Sequence, residues 1–127
     1  MIIVLIHWKI KPEREMVEDF LAFWRTRAIV DDRSGLICEF LSESHSAAEY
    51  PWITWQLTGC DGQYRSFINV GYWNSADDFR DQIETYFGTP KEPERFEFAH
   101  RLRTILKPKC WRIGDAALPI HDSRGVM

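Results

Sequence analysis

Hydrophobic positions in the first part of the chain follow two different periods, which predict a strand and then a helix. Residues 2–10 are apolar on both alternating faces and rich in β-branched side chains, which is typical of a strand that is covered on both sides. Pro12 suits the first turn of a helix, and apolar residues recur at helical spacing from residue 16 to residue 28. A turn cluster at 31–35 then precedes a second predicted strand at 36–42.

The clearest junction in the chain joins a third strand directly to a second helix. Residues 67–73 predict the strand, and Ser75 is a favourable N-cap for the helix that follows. Asp78, three residues later, completes the spacing of a capping box. Apolar residues then recur every four positions until a glycine and a proline supply a stop signal, so the helix is predicted over 75–87.

Two stretches do not follow these periods. Residues 44–63 are the least regular part of the chain and are interpreted as an insertion, in which 52–57 is strand-like. Residues 108–127 show no sustained period and are interpreted as an extended tail over the domain or over a neighbouring subunit. Because no linker is long enough to divide the chain, residues 1–127 are predicted to form a single domain.

The order of the predicted elements indicates the fold class. With a short helical turn near 92–98 and a last strand within 100–107, the chain follows the order β-α-β-β-α-β. This is the ferredoxin-like α+β arrangement, in which two helices cover one face of an antiparallel sheet. The first and third strands are apolar on both faces, so the face without helices needs a cover. A second copy packed sheet to sheet is the simplest one, and we expect a homodimer.

Composition and charge indicate which classes of binding partner are not expected. The 127 residues carry a formal charge of −3, with no cluster of basic and aromatic residues, so no nucleic-acid partner is expected. The three cysteines lack metal or redox spacing, which favours free thiols in a reducing cytoplasm. The apolar N-terminal run is too short for a membrane span, and no membrane partner is expected. No ligand spacing suggests a metal, and no cofactor is predicted.

Two segments of the chain resemble a known superfamily. They are the apolar first strand that leads through Lys11 and Pro12 into a helix, and the junction GYWNSADDF at 71–79. With these segments, residues 2–107 resemble the dimeric α/β-barrel superfamily, especially its antibiotic-biosynthesis-monooxygenase-like members. That superfamily includes cofactor-independent oxygenases, heme-degrading oxygenases, isomerases, lyases and proteins without known activity. The resemblance therefore implies the fold more strongly than it implies a function.

The resemblance to cofactor-independent, quinone-forming monooxygenases implies a pocket between sheet and helices for a polycyclic phenol, whose anion reacts directly with oxygen. Asn69 and Trp73, four residues apart, are similar to a pair that lines this pocket. An amide can hydrogen-bond a developing oxyanion, and an indole supplies an apolar wall with one donor. Phe67 on the same strand face and Tyr72 on the other are further candidates for substrate binding. The alternative for Trp73 is ordinary core packing, while Asn69 needs a polar partner in either case.

Titratable and cationic residues on the first and last strands are additional candidates. His7 could act as a general base toward a phenol, or it could be a core or interface histidine bonded to a carbonyl. The sequence leaves open which face of its strand meets a pocket. His100, Arg101 and Arg103 could clamp a carboxylate or phenolate, and Arg103 is the one that we assign to substrate binding. The alternative for these three residues is that they lie in solvent on an edge strand and bind no ligand.

A heme-degrading oxygenase is the main rival within the same superfamily. Its members resemble one another in an asparagine on the first strand and an iron-binding histidine on the second helix. Here His7 stands on the first strand, and residues 75–87 contain no histidine, so this function is disfavoured. The preferred hypothesis is a cofactor-independent monooxygenase-like protein that acts on a small aromatic or polyketide-like molecule. The alternative is a non-catalytic dimeric module that binds a small hydrophobic ligand or a protein.

Overall fold

The structure, a computed structural model, describes residues 1–28, 32–45, 47–54, 62–83 and 92–118, and all structural statements below concern these residues. In chain order, the strands and helices are β1 (Ile2–Ile10), α1 (Arg14–Thr26), β2 (Leu36–Glu43), β3 (Arg65–Trp73), α2 (Ala76–Ile83) and β4 (Glu97–Leu106). Short 3-10 turns lie at Ala47–Glu49 and Glu92–Arg95, the second of them within the predicted helical turn.

The four strands form one antiparallel sheet in the order β2-β3-β1-β4. This order and the two helices confirm the predicted ferredoxin-like α+β fold. The strand register places Ile6 of β1 opposite both Asn69 of β3 and Arg103 of β4, and Leu41 of β2 opposite Asn69. Residues that face each other across neighbouring strands point to the same side of the sheet. One row on the helix-covered face therefore runs from β2 to β4 through Asn69.

The core lies between this sheet face and the helices. Every second residue of β1 is buried, from Ile2 to Ile10, which is the pattern of a strand with one face against helices. Phe20 and Phe23 of α1 are fully buried against it. The ring of Phe20 lies 5.1 Å from that of Trp8, a separation at which aromatic pairs attract one another. Aromatic packing thus fixes α1 over β1.

The predicted N-cap of Ser75 forms at the start of α2, while Asp78 pairs with the Ser75 hydroxyl and not with its backbone N–H, as a full capping box would require. The backbone N–H of Asp78 donates to Ser75 Oγ at 3.1 Å, and the Ser75 hydroxyl donates to Asp78 Oδ2 at 2.8 Å. These bonds satisfy one of the unpaired N–H groups of the helix terminus and place a negative charge at its positive end. The helix is described to Ile83, and the predicted end at residues 84–87 lies outside the described residues.

Three local predictions differ from the structure. Pro12, which was predicted in the first turn of the helix, precedes α1, whose N-cap is Glu13. β4 begins at Glu97, three residues before the predicted strand, because its pairing with β1 continues to Ile10 through a register shift. The strand predicted at 52–57 does not form over 52–54, where the chain turns and the Ile53 N–H donates to the Tyr50 carbonyl at 3.0 Å. Residues 55–57 lie outside the described residues. The roles of 44–63 as an insertion and of 108–127 as a tail stay predictions.

The sheet face away from the helices is apolar. Leu5 of β1 and Val70 of β3 stand opposite each other on this face, and Leu102 of β4, opposite His7, is 59% exposed. The strands thus carry apolar side chains on both faces, as predicted from the sequence. Among the described residues, no helix is both long enough and apolar enough to cross a membrane.

Candidate functional site

A cavity opens between the sheet and the two helices. The space between atoms here is about 450 Å³, which includes open solvent at the mouth. All four strands and both helices contribute to its wall. Its apolar lining residues are Ile6, Trp8, Phe23, Trp24, Ala28 and Ile83, and its polar ones are Glu39, Asn69, Arg101 and Arg103. A mainly apolar and aromatic cavity with a few convergent polar groups is the usual form of a small-molecule site.

Asn69 stands in the wall of this cavity and is 2% exposed. Its Oδ1 accepts a hydrogen bond from Trp24 Nε1 at 2.9 Å, and its Nδ2 donates to Glu39 Oε1 at 2.7 Å. An indole can only donate, so the amide oxygen must face Trp24 and the amide nitrogen must face Glu39. Helix α1 therefore fixes the orientation of an amide on β3, and this amide in turn holds a carboxylate on β2.

Glu39 is the acid among the residues that line the cavity. Burial raises the pKa of its carboxyl, against the opposing effects of the hydrogen bond from Asn69 and the charge of Arg33. A carboxylate that binds a proton more readily than usual suits proton transfer near neutral pH. Glu39 is not among the site residues predicted from the sequence. The signal was weak, because this acid merely interrupts the apolar run at 36–41, and only the register of β2 with β3 places it beside Asn69.

The wall on the side of β4 is positively charged. The guanidinium of Arg101 lies 4.3 Å from the centre of the Trp8 ring and also donates to Glu97 Oε1. Burial, followed by the charge of Arg101, lowers the pKa of Arg103, and the opposing effect of Glu97 is smaller. The cavity thus has an acid at its β2 side and two arginines at its β4 side.

The predicted site residues on the helix-covered face divide into two groups. Asn69 and Arg103 line the cavity, and their roles toward a substrate stay predictions. Trp73 and Phe67 share this face but are packed in the core, where they are 1% and 3% exposed. The ring of Trp73 lies edge-on to Phe79 of α2 with centroids 5.6 Å apart. Whether Trp73 and Phe67 serve a substrate stays a prediction, and their packing is what the structure describes.

The close approach of Trp73 to its own strand requires a glycine. A Cβ added at Gly71 would lie 2.8 Å from Trp73 Nε1, which is closer than real Cβ atoms come. The indole therefore lies back over β3 at the position where no side chain stands. This arrangement keeps Trp73 in the core and leaves the neighbouring space to Asn69.

His7 and Tyr72 lie on the opposite face of the sheet. His7 Nε2 is 3.0 Å from Ser66 Oγ, within hydrogen-bond distance, and burial and the charge of Lys9 lower the pKa of the imidazole. Successive residues of a strand point to opposite faces, so His7 is separated from Asn69 by the sheet itself. The structure does not bring His7 and Asn69 together. His100, on β4, is exposed.

The chain matches known proteins by structure. No protein-family model matches it, and no curated protein sequence matches it. SnoaB from Streptomyces nogalater, a cofactor-independent oxygenase, is 14% identical, with a TM-score of 0.51 over 87% of this chain and 94% of that one. An uncharacterized NIPSNAP domain protein from Burkholderia xenovorans is 11% identical, with a TM-score of 0.52 over 90% of this chain and all of the other.

The likeness establishes the fold. It confirms the predicted ferredoxin-like α+β fold. At 14% and 11% sequence identity, this likeness does not show that any residue has the same role in two of these proteins. The proposed function therefore rests on the residues that line the cavity of this chain.

Proposed function

We propose that this protein is a cofactor-independent monooxygenase-like enzyme that oxidises a small polycyclic phenol in the cavity between sheet and helices. The observation that carries the proposal is the hydrogen bond between buried Asn69 and half-buried Glu39 in an aromatic cavity wall. A structural neighbour described as a cofactor-independent oxygenase supports the reaction class. The site residues are Asn69, Glu39 and Arg103, with Trp8 and Trp24 as aromatic walls.

Glu39 is proposed to start the reaction as the proton acceptor. Its carboxylate removes a proton from an activated CH₂ group of the bound phenol tautomer and leaves a carbanion that is delocalised over the rings. The carbanion itself supplies the electrons to O₂, and a carbon–oxygen bond forms to give a peroxide. Protonated Glu39 then returns its proton to the peroxide. The Glu39 carboxylate then takes the second proton from the same carbon, a carbon–oxygen double bond forms, and the O–O bond breaks. The departing hydroxide takes this proton from Glu39 and leaves as water, so the substrate exchanges two hydrogen atoms for one oxygen atom.

Asn69 is proposed to hold Glu39 in position for these proton transfers. Its Nδ2 donates to the carboxylate at 2.7 Å, while Trp24 prevents the amide from turning. A base that is fixed at hydrogen-bond distance loses little entropy when the substrate arrives. A substrate that fills the cavity between the apolar walls would displace water from it, which would strengthen the electrostatic interactions inside.

Oxygen uptake with anthrone as the substrate tests this proposal. We expect consumption of one O₂ per anthraquinone formed, at a rate that scales with protein concentration above the uncatalysed rate. Asn69→Ala is expected to lower this rate by about 10²-fold, the usual effect of removing a positioned hydrogen-bond donor from an active site. Asn74→Ala changes an exposed asparagine outside the cavity and serves as the matched control. Far-UV circular dichroism verifies that both variants fold.

A non-catalytic ligand-binding module is the second candidate function. It is favoured by the position of Trp73 and His7, since neither of these predicted catalytic residues lines the cavity. In this case anthrone quenches the tryptophan fluorescence of the protein, and no oxygen is consumed. Saturable binding without uptake, in wild type and in Asn69→Ala alike, would contradict the monooxygenase proposal.

We also propose that the protein is a homodimer in which a second copy covers the apolar sheet face. Leu102 is 59% exposed on this face, and Leu106 beside it is 42% exposed. Exposed apolar patches of this kind usually mark an interface. We expect wild type to scatter light as a dimer at micromolar concentration and Leu102→Asp to scatter as a monomer that remains folded. Glu15→Lys, on the exposed side of α1, is the control, and a monomeric wild type would contradict the proposal.

A further inference from the structure

The cavity has opposite charges at its two sides, and this constrains the ligand beyond its aromatic character. Glu39 stands on β2 and the two arginines stand on β4, the two edge strands of the sheet. Two strands lie between them, so the edge backbones are about 14 Å apart at the usual strand spacing. The side chains reach inward from both edges. A molecule with two fused rings and a polar group at each end fits the remaining distance.

The β4 side combines two cations with a buried N–H donor. Arg101 and Arg103 both line the cavity, and the repulsion from Arg101 acts on Arg103 more strongly than the attraction of Glu97. Trp8, which Arg101 covers, is 4% exposed. Among the described residues no acceptor lies within hydrogen-bond distance of Trp8 Nε1. A buried donor without an acceptor costs about 1–3 kcal/mol, which an oxygen atom of a ligand would recover.

An anionic oxygen group meets all the requirements of this side. A carboxylate has two acceptor oxygens, which can serve an arginine and an indole N–H together. Its negative charge would also relieve the repulsion between the two guanidinium groups. Glu39, at the other side, repels a second anion but accepts a hydrogen bond from a neutral hydroxyl. The polarity of the cavity therefore sets the direction in which a ligand lies.

We infer that the cavity binds a hydroxylated aromatic carboxylic acid, with its carboxylate at Arg101, Arg103 and Trp8 and its hydroxyl toward Glu39. This inference specifies the substrate class of the proposed function and rests on the same cavity. It does not depend on the reaction with oxygen. The apolar walls formed by Phe23 and Ile83 contact the rings between the two polar ends.

Equilibrium binding of matched naphthalene derivatives tests this inference. The probe is a hydroxynaphthoic acid whose two groups lie at opposite ends of the long axis, and the comparison ligands are its methyl ester and the naphthol without the carboxylate. By isothermal titration calorimetry at pH 7, we expect wild type to bind the acid at least about tenfold more tightly than the ester or the naphthol, the scale of one charge-assisted hydrogen bond. Arg103→Gln is expected to lose this preference and to keep its affinity for the naphthol.

The controls separate this inference from the proposed function. Arg112→Gln changes an exposed arginine in the segment after β4 and is expected to keep the preference for the acid. Equal affinities of wild type for acid, ester and naphthol would overturn the inference, and this comparison needs no folded variant. Oxygen uptake from uncharged anthrone together with equal affinities would overturn the inference alone. Preference for the acid without oxygen uptake from any phenol would support the inference and contradict the monooxygenase proposal.

Discussion

Replacing Glu39 by Gln is expected to lower the turnover of anthrone by about 10²–10⁴-fold, the range that a positioned general base contributes. The substitution keeps the size of the side chain, and the amide oxygen of Gln can still accept the hydrogen bond from Asn69 Nδ2. Only the ability to take and return a proton is lost. Steady-state oxygen uptake measures the effect, with Glu94→Gln, on an exposed 3-10 turn, as the control that keeps full turnover.

The same variant is expected to be more stable than wild type at neutral and alkaline pH. Burial raises the pKa of Glu39 above the value that it has in the unfolded chain. The folded protein then holds this proton more tightly, and the stability that the group contributes is lost as the pH rises through the folded pKa. Gln has no charge to bury, so we expect Glu39→Gln to raise the free energy of unfolding at pH 8 by about 1 kcal/mol. The difference shrinks toward acidic pH.

Urea unfolding of both proteins between pH 4 and pH 8 measures this second effect. Lower turnover together with higher stability is the combination expected of a base that the fold holds in an unfavourable environment. A variant with unchanged turnover would show that Glu39 is not the proton acceptor. A stability difference that does not depend on pH would show that the carboxyl does not bind its proton more tightly in the folded protein.

The order of the elements could be predicted because its signals are local. Ser75 and Asp78 mark the start of α2 in the sequence, and the Asp78 N–H donates to the Ser75 hydroxyl in the structure, as an N-cap requires. The start of β4 could not be predicted from such a local signal. Glu97 belongs to the strand because it pairs with Ile10, which is far away in the sequence. Pairing between strands that are distant in the sequence depends on the whole sheet. The sequence of a short segment therefore does not show where such a strand begins.

The candidate site was predictable only in part, for a related reason. Asn69 stands out because a buried amide in an apolar strand needs partners, and it has two. Glu39 is inconspicuous, since an acid on an edge strand is usually solvated. Its role follows from a register that the sequence does not specify. His7 was a candidate because a titratable ring is unexpected in an apolar strand. Since β1 is apolar on both sides, its sequence does not tell which side the helices cover.

Trp73→Ala is expected to lower the free energy of unfolding by about 3–5 kcal/mol, the usual cost of removing a large buried aromatic side chain. Trp73 is 1% exposed, packs edge-on against Phe79 and fills the space above Gly71, so nothing can move in to replace the indole. Such a loss is a large share of the stability of an ordinary domain. Urea unfolding measures it, with Trp111→Ala as the control, since Trp111 is 75% exposed and is expected to change stability by less than about 0.5 kcal/mol.

Trp73→Phe then separates packing from a role in the reaction. Phenylalanine retains an aromatic ring against Phe79 but removes the indole N–H, so the fold is expected to survive at a smaller cost in stability than with Ala. If Trp73 acts only by packing, anthrone turnover of this variant stays close to that of wild type, while Asn69→Ala loses it. If turnover is abolished although the protein remains folded, the indole takes part in the reaction. The substrate must then reach past Asn69 toward Gly71, and the reacting carbon has to be placed at the β3 end of the cavity.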